Sequence, residues 1–387
     1  MPLRNHWPLI ILILFFCSWL PAALRFKEVS TEVLPFPELA NNTMDIEVAD
    51  LDKDGDLDIV LAMEFKANII LINEGNGKYS NQSAARLPQV IHDSEDIALA
   101  DFDKDGDIDI VFVSEDDRVH EYYLNDGKGY FTDNNAALPV TSVSNAVDMA
   151  DYDQDGDMDL ILGNDGQDFF LANDGRGNFT DETRKRMPVD YTVTQDVQSW
   201  DFDKDGDLDL VMGNENGNRF YLNDGKGNFN DATKERFPLA KEETRKIRLV
   251  DVNADGHMDF LICNVDFGKK TDKANRILVN NGKGFFRDET SLRLSGENNL
   301  NTGDAAFADF DGDGDMDMVL ANLFGSYSQY FENDGKGKFT EATDKVFAQR
   351  ITNDAISVEV RDFNGDKRPD IYFGCFRSAD RLFYSGE

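Results

Sequence analysis

Three cysteines in 387 residues exclude a fold built on disulfides. Cys17 sits in an N-terminal apolar segment. Cys263 and Cys375 are far apart and read as small buried hydrophobes rather than a bridge. Histidine is as scarce, with four copies. His6 lies near the N-terminus, His257 inside an acidic loop, and His92 and His120 have no nucleophile beside them. No Gly-x-Ser-x-Gly, His-Glu-x-x-His or glycine-rich phosphate loop occurs. Basic charge is outweighed, 39 Lys and Arg against 75 Asp and Glu, and a net charge of −36 argues against a nucleic-acid partner.

Long apolar runs are missing beyond the first 23 residues. There, Arg4 and His6 precede an apolar run from Leu9 to Leu20, and Pro21-Ala22-Ala23 follow. Such a run is short against the ~20 residues of a membrane span and is followed by small residues, the pattern of an export signal. Residues 1–23 are read as a signal peptide cleaved near Ala23, with an uncleaved anchor as the alternative. Residues 24–387 are the folded part, exported to a periplasmic, cell-surface or extracellular setting.

What the chain has in abundance is aspartate in a fixed frame. Seven nonapeptides begin at Asp50, Asp101, Asp151, Asp201, Asp251, Asp309 and Asp362, spaced 51, 50, 50, 50, 58 and 53 residues apart. The first four read DLDKDGDLD, DFDKDGDID, DYDQDGDMD and DFDKDGDLD. The last three read DVNADGHMD, DFDGDGDMD and DFNGDKRPD. They hold 31 aspartates and leave 44 acids against the chain's 39 bases, so the acidity is mostly a property of the loops. The 41% hydrophobic content and 29 Phe argue against disorder.

A period near 50 residues means a propeller, a solenoid or an array. One repeat reads as four strands: A over residues 96–100, B over 108–113, C over 119–124 and D from Tyr130 to Asp133. Asn125-Asp126-Gly127-Lys128-Gly129 forms the C–D hairpin. Seven such sheets need both faces covered, which a radial arrangement provides. The last repeat ends at a strand C, Arg381 to Tyr384. Arg25-Phe26-Lys27-Glu28-Val29 resembles the strand D segment Asn178-Phe179-Thr180-Asp181-Glu182 but has no blade before it. The expectation is an all-β, seven-bladed β-propeller with four-stranded blades, in which the N-terminal strand closes the last blade.

Asp-x-Asp-x-Asp-Gly-x-x-Asp suits a hard cation, above all calcium, which takes six to eight oxygens. An EF-hand would need a bidentate Glu at position 12. Here Leu61, Phe112, Leu162, Met212, Ile262, Leu320 and Phe373 occupy it, so that reading fails.

With these loops in one register, the chain resembles the FG-GAP/VCBS-repeat proteins, whose propeller forms the head of integrin α subunits and occurs in many exported bacterial proteins. The resemblance implies calcium ligands Asp50, Asp52, Asp54, Asp56 (by its carbonyl) and Asp58. It extends to Asp101, Asp103, Asp105, Asp107 and Asp109, to Asp151, Asp153, Asp155, Asp157 and Asp159, and to Asp201, Asp203, Asp205, Asp207 and Asp209. Next come Asp251, Asn253, Asp255, His257 and Asp259, then Asp309, Asp311, Asp313, Asp315 and Asp317, and finally Asp362, Asn364, Asp366 and Asp370. Asn253 loses a charge at position 3. The seventh loop also has Lys367 where glycine is expected and should be the weakest of up to seven sites.

Propeller geometry puts the A–B loops and C–D hairpins on one face and leaves the other for recognition. The longest connections there are Asn264 to Asn275, with Lys269, Lys270 and Lys273, and Leu294 to Asp304. Phe324 to Tyr327 and Phe376-Arg377 follow. They make a polar, aromatic and basic rim for a sugar or a peptide acid. Asp45, Asp96, Asp196 and Asp304, five residues before their loops, should bond neighbouring blades or line the channel. The leading reading is a non-catalytic binding or adhesion module for a glycan or protein ligand at the cell surface. Since some relatives are polysaccharide lyases, a carbohydrate-active enzyme is the alternative, and a scaffold for a surface assembly is another.

Overall fold

The computed structural model describes residues 24–35, 42–269 and 271–386. Residues 1–23, which carry the export reading, and Lys270 lie outside them. Seven antiparallel sheets form, and the innermost strand of each contacts the next, the seventh returning to the first. The chain is a seven-bladed propeller. Blade two contains Ser94–Ala100, Asp109–Ser114, Glu121–Asn125 and Phe131–Asp133, ordered A to D from the channel outward. The expected boundaries of strands A to C were off by one or two residues.

Strand B is apolar almost throughout because blades stack on both of its faces. All six residues of Asp109–Ser114 are buried, as are those of every other strand B. Strand D is three residues long, with one buried aromatic and two polar residues facing outward, for example Phe179–Asp181. A short polar edge of this kind resists pairing with other chains. A single helical turn follows each strand D except in blade two, which has a 3₁₀ turn. Its first hydroxyl accepts the backbone N–H at the second position of strand C: Thr183 Oγ1 from Phe170 (3.1 Å), Thr233 Oγ1 from Phe220 (2.9 Å).

Closure follows the sequence expectation. Arg25–Glu28 is the outer strand of the seventh blade and pairs antiparallel with Arg381–Gly386. Phe26 faces Ser385 and Glu28 faces Phe383. Ser30 Oγ accepts the Leu382 N–H at 2.9 Å, reproducing the hydroxyl cap of the other blades. Phe26 stacks on Phe347 at 5.0 Å and meets Phe310 edge-on at 5.4 Å. Blade six gains a fifth strand: Leu294–Ser295 pairs parallel with Phe339–Thr340 on its outer edge. The start of the Leu294–Asp304 connection is therefore blade structure rather than recognition loop. Seven apolar cores lie between neighbouring blades. An eighth, smaller cluster of Met44, Val265, Leu323 and Ile356 lies elsewhere, at the channel mouth. Cys263 and Cys375 are buried and free. No helix among the described residues is long and apolar enough to cross a membrane.

Candidate functional site

Each innermost strand starts at one mouth of the channel and ends in an acidic loop at the other. In the loops, backbone N–H groups gather on carboxylates. Asp54 and Gly55 donate to the two oxygens of Asp50, each at 3.1 Å, and Asp56 donates to Asp54 Oδ1 at 2.9 Å. Position 9 is buried in all seven loops. Asp58 accepts the Leu51 N–H across the loop (3.1 Å) and the Asn73 N–H from the C–D hairpin (2.9 Å), tying loop to hairpin. Burial pushes these carboxyls up, to about 7 at Asp58, Asp109, Asp159, Asp259 and Asp370, about 8 at Asp209 and about 6 at Asp317.

Several oxygens have no hydrogen-bond partner. Asp52 Oδ1, Asp101 Oδ1, Asp151 Oδ1 and Asp203 Oδ1 are buried and orphaned, as are Asp159 Oδ2 and Asp209 Oδ2. Carboxylate oxygens of Asp50, Asp52 and Asp58 lie within 4.8 Å of one another, and so do those of Asp101, Asp103 and Asp109 and of Asp151, Asp153 and Asp155. Converging, unpartnered, all-oxygen donors fit a hard divalent cation.

Two features of these loops were not read from the sequence. Arg86, Arg186 and Arg236, at the end of the helical turn, reach position 3 of their own blade's loop: Asp52 (3.3 Å), Asp153 (2.7 Å) and Asp203 (2.8 Å). Each arginine takes one oxygen, and the other is orphaned at Asp52 and Asp203. The same arginines bond the hairpin carbonyls of the next blade, Lys128, Lys226 and Lys283. The recurring Arg one residue before Leu87, Met187 and Phe237 was the available signal. Position 7 also uses its side chain. A Cβ on Gly127, whose φ is 73°, would fall 2.6 Å from Asp107 Oδ2, so the hairpin glycine serves close approach as well as turn geometry.

Along the channel, the aspartates five before the loops do both jobs expected of them. Asp96, Asp196 and Asp304 accept backbone N–H groups from the next blade, at Val147 (2.8 Å), Ile247 (2.7 Å) and Val358 (2.9 Å). Lys246 Nζ lies 2.8 Å from Asp96, 3.6 Å from Asp196 and 3.9 Å from Asp45. Arg248 forks onto Asp304 with two bonds of 2.7 Å. Burial favours a neutral amine, but three carboxylates outweigh it and hold the Lys246 ammonium above its ordinary pKa.

The opposite mouth is built from two rings. Every A–B strand pair carries a β-bulge near the start of strand A, and the bulged residues are Met44, Glu95, Asn145, Gln195, Arg245, Gly303 and Ile356. A bulge re-aims its side chain, and Met44, Glu95, Arg245 and Ile356 line a cavity of about 280 Å³. Gly303 leaves room for its neighbour, since a Cβ there would sit 2.7 Å from the Ile356 carbonyl oxygen. The second ring is the residue after each strand B: Glu64, Glu115, Asp165, Glu215, Val265, Leu323 and Phe376, each donating its N–H to the stretch just before strand A. This ring is acidic on blades one to four and apolar on blades five to seven.

Around the cavity, Phe267 and Phe324 are half exposed and meet edge-to-face at 5.3 Å. Phe324 (φ 57°) and Arg377 (φ 144°) hold strained backbone there. Of the basic rim expected from sequence, Arg377 lines the cavity, but the other charges there are engaged. Lys269 is taken up by Glu215 and Glu243, and Arg245 by Glu95 (3.0 Å) and Gln195. Burial raises the carboxyls of Glu64 and Glu115, and that of Glu95 to about 8 despite Arg245. His92 is paired with Asp117 at 2.5 Å, and buried His120 bonds Ser142 at 3.0 Å.

Among solved structures the chain is similar to BBS1N in complex with ARL6DN (TM-score 0.58, 11% identity, 95% of this chain and 97% of that one). It is also similar to YCF48 bound to D1 peptide (TM-score 0.58, 8% identity, 94% and 98%). A structure of an Agrocybe aegerita lectin recognising non-reducing terminal N-acetylglucosamine aligns at TM-score 0.48 and 19% identity over 79% of this chain and 82% of that one. At such identities the first two likenesses show the fold alone. No curated protein matches in sequence. The model of the FG-GAP-like repeat matches residues 50–112, 101–162, 201–262, 251–320 and 309–373. With these matches spanning most of a seven-bladed ring, the chain belongs to the FG-GAP-like repeat family.

Proposed function

We propose that this protein is an exported, calcium-loaded, non-catalytic binding module that holds a protein or glycan ligand over the channel mouth opposite the acidic loops. The observation that carries the reading is the mouth itself. Residues from five blades converge there, four of them aimed by bulges, beside half-exposed aromatics on strained backbone. Strain and exposed apolar surface of this kind are kept where a ligand repays them. The lining residues are Met, Glu, Arg, Phe, Leu and Ile, with no Ser, Cys, Thr, Lys or His among them.

Calcium, when bound, would neutralise the converging carboxylates and fix strands A and B at their turn. The orphaned oxygens of Asp52, Asp101, Asp151, Asp159, Asp203 and Asp209 support that assignment. The arginines on position 3 would hold their carboxylates in place without occupying both oxygens. Sites of this kind fill at extracellular calcium concentrations, which agrees with export.

The test is a glycan array and a peptide array probed with calcium-replete protein, beside the Phe267→Ala/Phe324→Ala double variant. Selective binding that the variant loses is the expected result. Binding that survives the double variant places the ligand elsewhere, and release of shortened glycan products would make the protein an enzyme.

A further inference from the structure

The two halves of the mouth differ in chemistry, and that difference narrows the ligand beyond the binding role on which this step rests. One side is apolar: Leu323, Ile356, Phe376 and the edge-to-face pair Phe267 and Phe324. The other side is acidic, with Glu64 from blade one and Glu95 and Glu115 from blade two. Behind them Asp93 is 2% exposed, and its Oδ1 has no hydrogen-bond partner. Carboxylate oxygens of Glu64, Asp93 and Glu95 lie within 4.8 Å of one another. Arg245, committed to Glu95 and Gln195, and Arg377, stacked over Phe376, are the two cations lining this mouth. The acidic wall therefore gathers four carboxyl groups, Glu64, Asp93, Glu95 and Glu115, against two guanidinium groups, next to a wall of exposed aromatic surface.

No residue lining the cavity has a neutral hydrogen-bonding side chain. A neutral sugar could bond the charged groups but would desolvate the carboxylates without neutralising any of them. An anionic ligand would meet like charge. We infer that the mouth takes a peptide segment in which a Lys or Arg side chain, seated on Glu64 and Glu115, stands beside an aromatic or aliphatic side chain seated on Phe267, Phe324 and Phe376. A cation placed there would be partly desolvated and paired, a charge-assisted contact stronger than a surface ion pair.

The test uses the full chain with calcium and immobilised peptides carrying Lys-Phe, Gln-Phe or Glu-Phe, beside neutral chitin oligosaccharides and chitosan oligomers. The expected order is Lys-Phe over Gln-Phe by about tenfold, the loss that one charged contact implies, with Glu-Phe weaker still. Glu64→Gln should remove most of that preference, and Glu115→Gln serves if the first variant does not fold. Phe324→Ala should weaken Lys-Phe and Gln-Phe peptides together. Equal binding of Lys-Phe and Gln-Phe overturns the inference, as does a preference for chitosan. Tight binding of neutral chitin oligosaccharides that Phe324→Ala abolishes and Glu64→Gln spares overturns it too, but leaves the binding role intact. Binding of none of these probes overturns the inference, while the glycan and peptide arrays decide the binding role.

Discussion

Two residues isolate physical terms that the repeat average hides. Position 6 of the acidic loop lies at positive φ in every blade: 95° at Gly55, 91° at Gly106 and 69° at Lys367. The backbone geometry survives in the seventh loop, so Lys367 bears the strain that glycine avoids elsewhere. Lys367→Gly should therefore raise stability by roughly 0.5–1 kcal/mol, the αL cost less glycine's extra chain entropy. Urea unfolding in calcium measures it, and a loss of stability would show that the lysine makes compensating contacts. His120 isolates a pH term. Burial moves its imidazole from 6.5 to about 4, with Ser142 and the Ser114 N–H as partners. The unfolded chain binds that proton near pH 6.5 and the folded one only near 4. Its contribution is thus complete above 6.5 and fades as pH falls toward 4, by ~3 kcal/mol. His120→Gln keeps an acceptor without titrating. Between pH 7 and 4.5 it should lose less stability than the natural chain, the loop carboxylates being common to both. Parallel pH profiles would refute the assignment.

At the scale of elements, the closing strand carries the sharpest expectation. Phe26 occupies the position that Phe179 and Phe229 hold in other blades, and Ser30 supplies the hydroxyl cap. Phe26→Ala should cost about 3–5 kcal/mol, as for a buried aromatic. Deleting residues 24–34 would uncover the edge of Arg381–Gly386 and should produce aggregation or a large fall in melting temperature. Wild-type stability after that deletion would mean that the ring does not depend on this pairing. The strand was legible in sequence because its Arg-Phe-Lys-Glu pattern repeats a motif whose blade is known. The mouth was not legible. Strand alternation assumes a period of two, and the bulges at Met44, Glu95, Arg245 and Ile356 break it by one residue. Reading Lys269 of the long loop as part of a free basic rim failed for another reason. The acids that neutralise Lys269 come from blade four, at Glu215, and from the start of blade five, at Glu243, and no local pattern announces that pairing.

Over the whole molecule, one charge problem repeats seven times. Each loop draws carboxylates together, each blade docks its hairpin on the loop before it, and the ring closes only when all of these fit. Lys53 and Lys104 reach the next blade's loop at Asp107 and Asp157, so neighbouring loops share charge. A cation bound to the folded loops but not to the unfolded chain stabilises by mass action, about 2.7 kcal/mol per site at a hundred times its dissociation constant. Calcium-stripped protein should therefore melt far lower and recover with calcium. One molar sodium chloride, which screens exposed repulsion within ~3 Å, should restore only a small part of that. An equal rescue by salt would mean diffuse screening rather than coordinated ions, and an unchanged melt in stripped protein would remove the metal altogether. The loops should also rank. Asp103→Ala acts on a loop with aspartate at every odd position. Asp366→Ala acts on a loop already short of a charge at Asn364 and carrying Lys367. The first substitution should cost more of the calcium-dependent stability. The reverse order would place the strongest site at the seam where the N-terminal strand completes the ring, and would make calcium a closure device rather than a staple common to all blades.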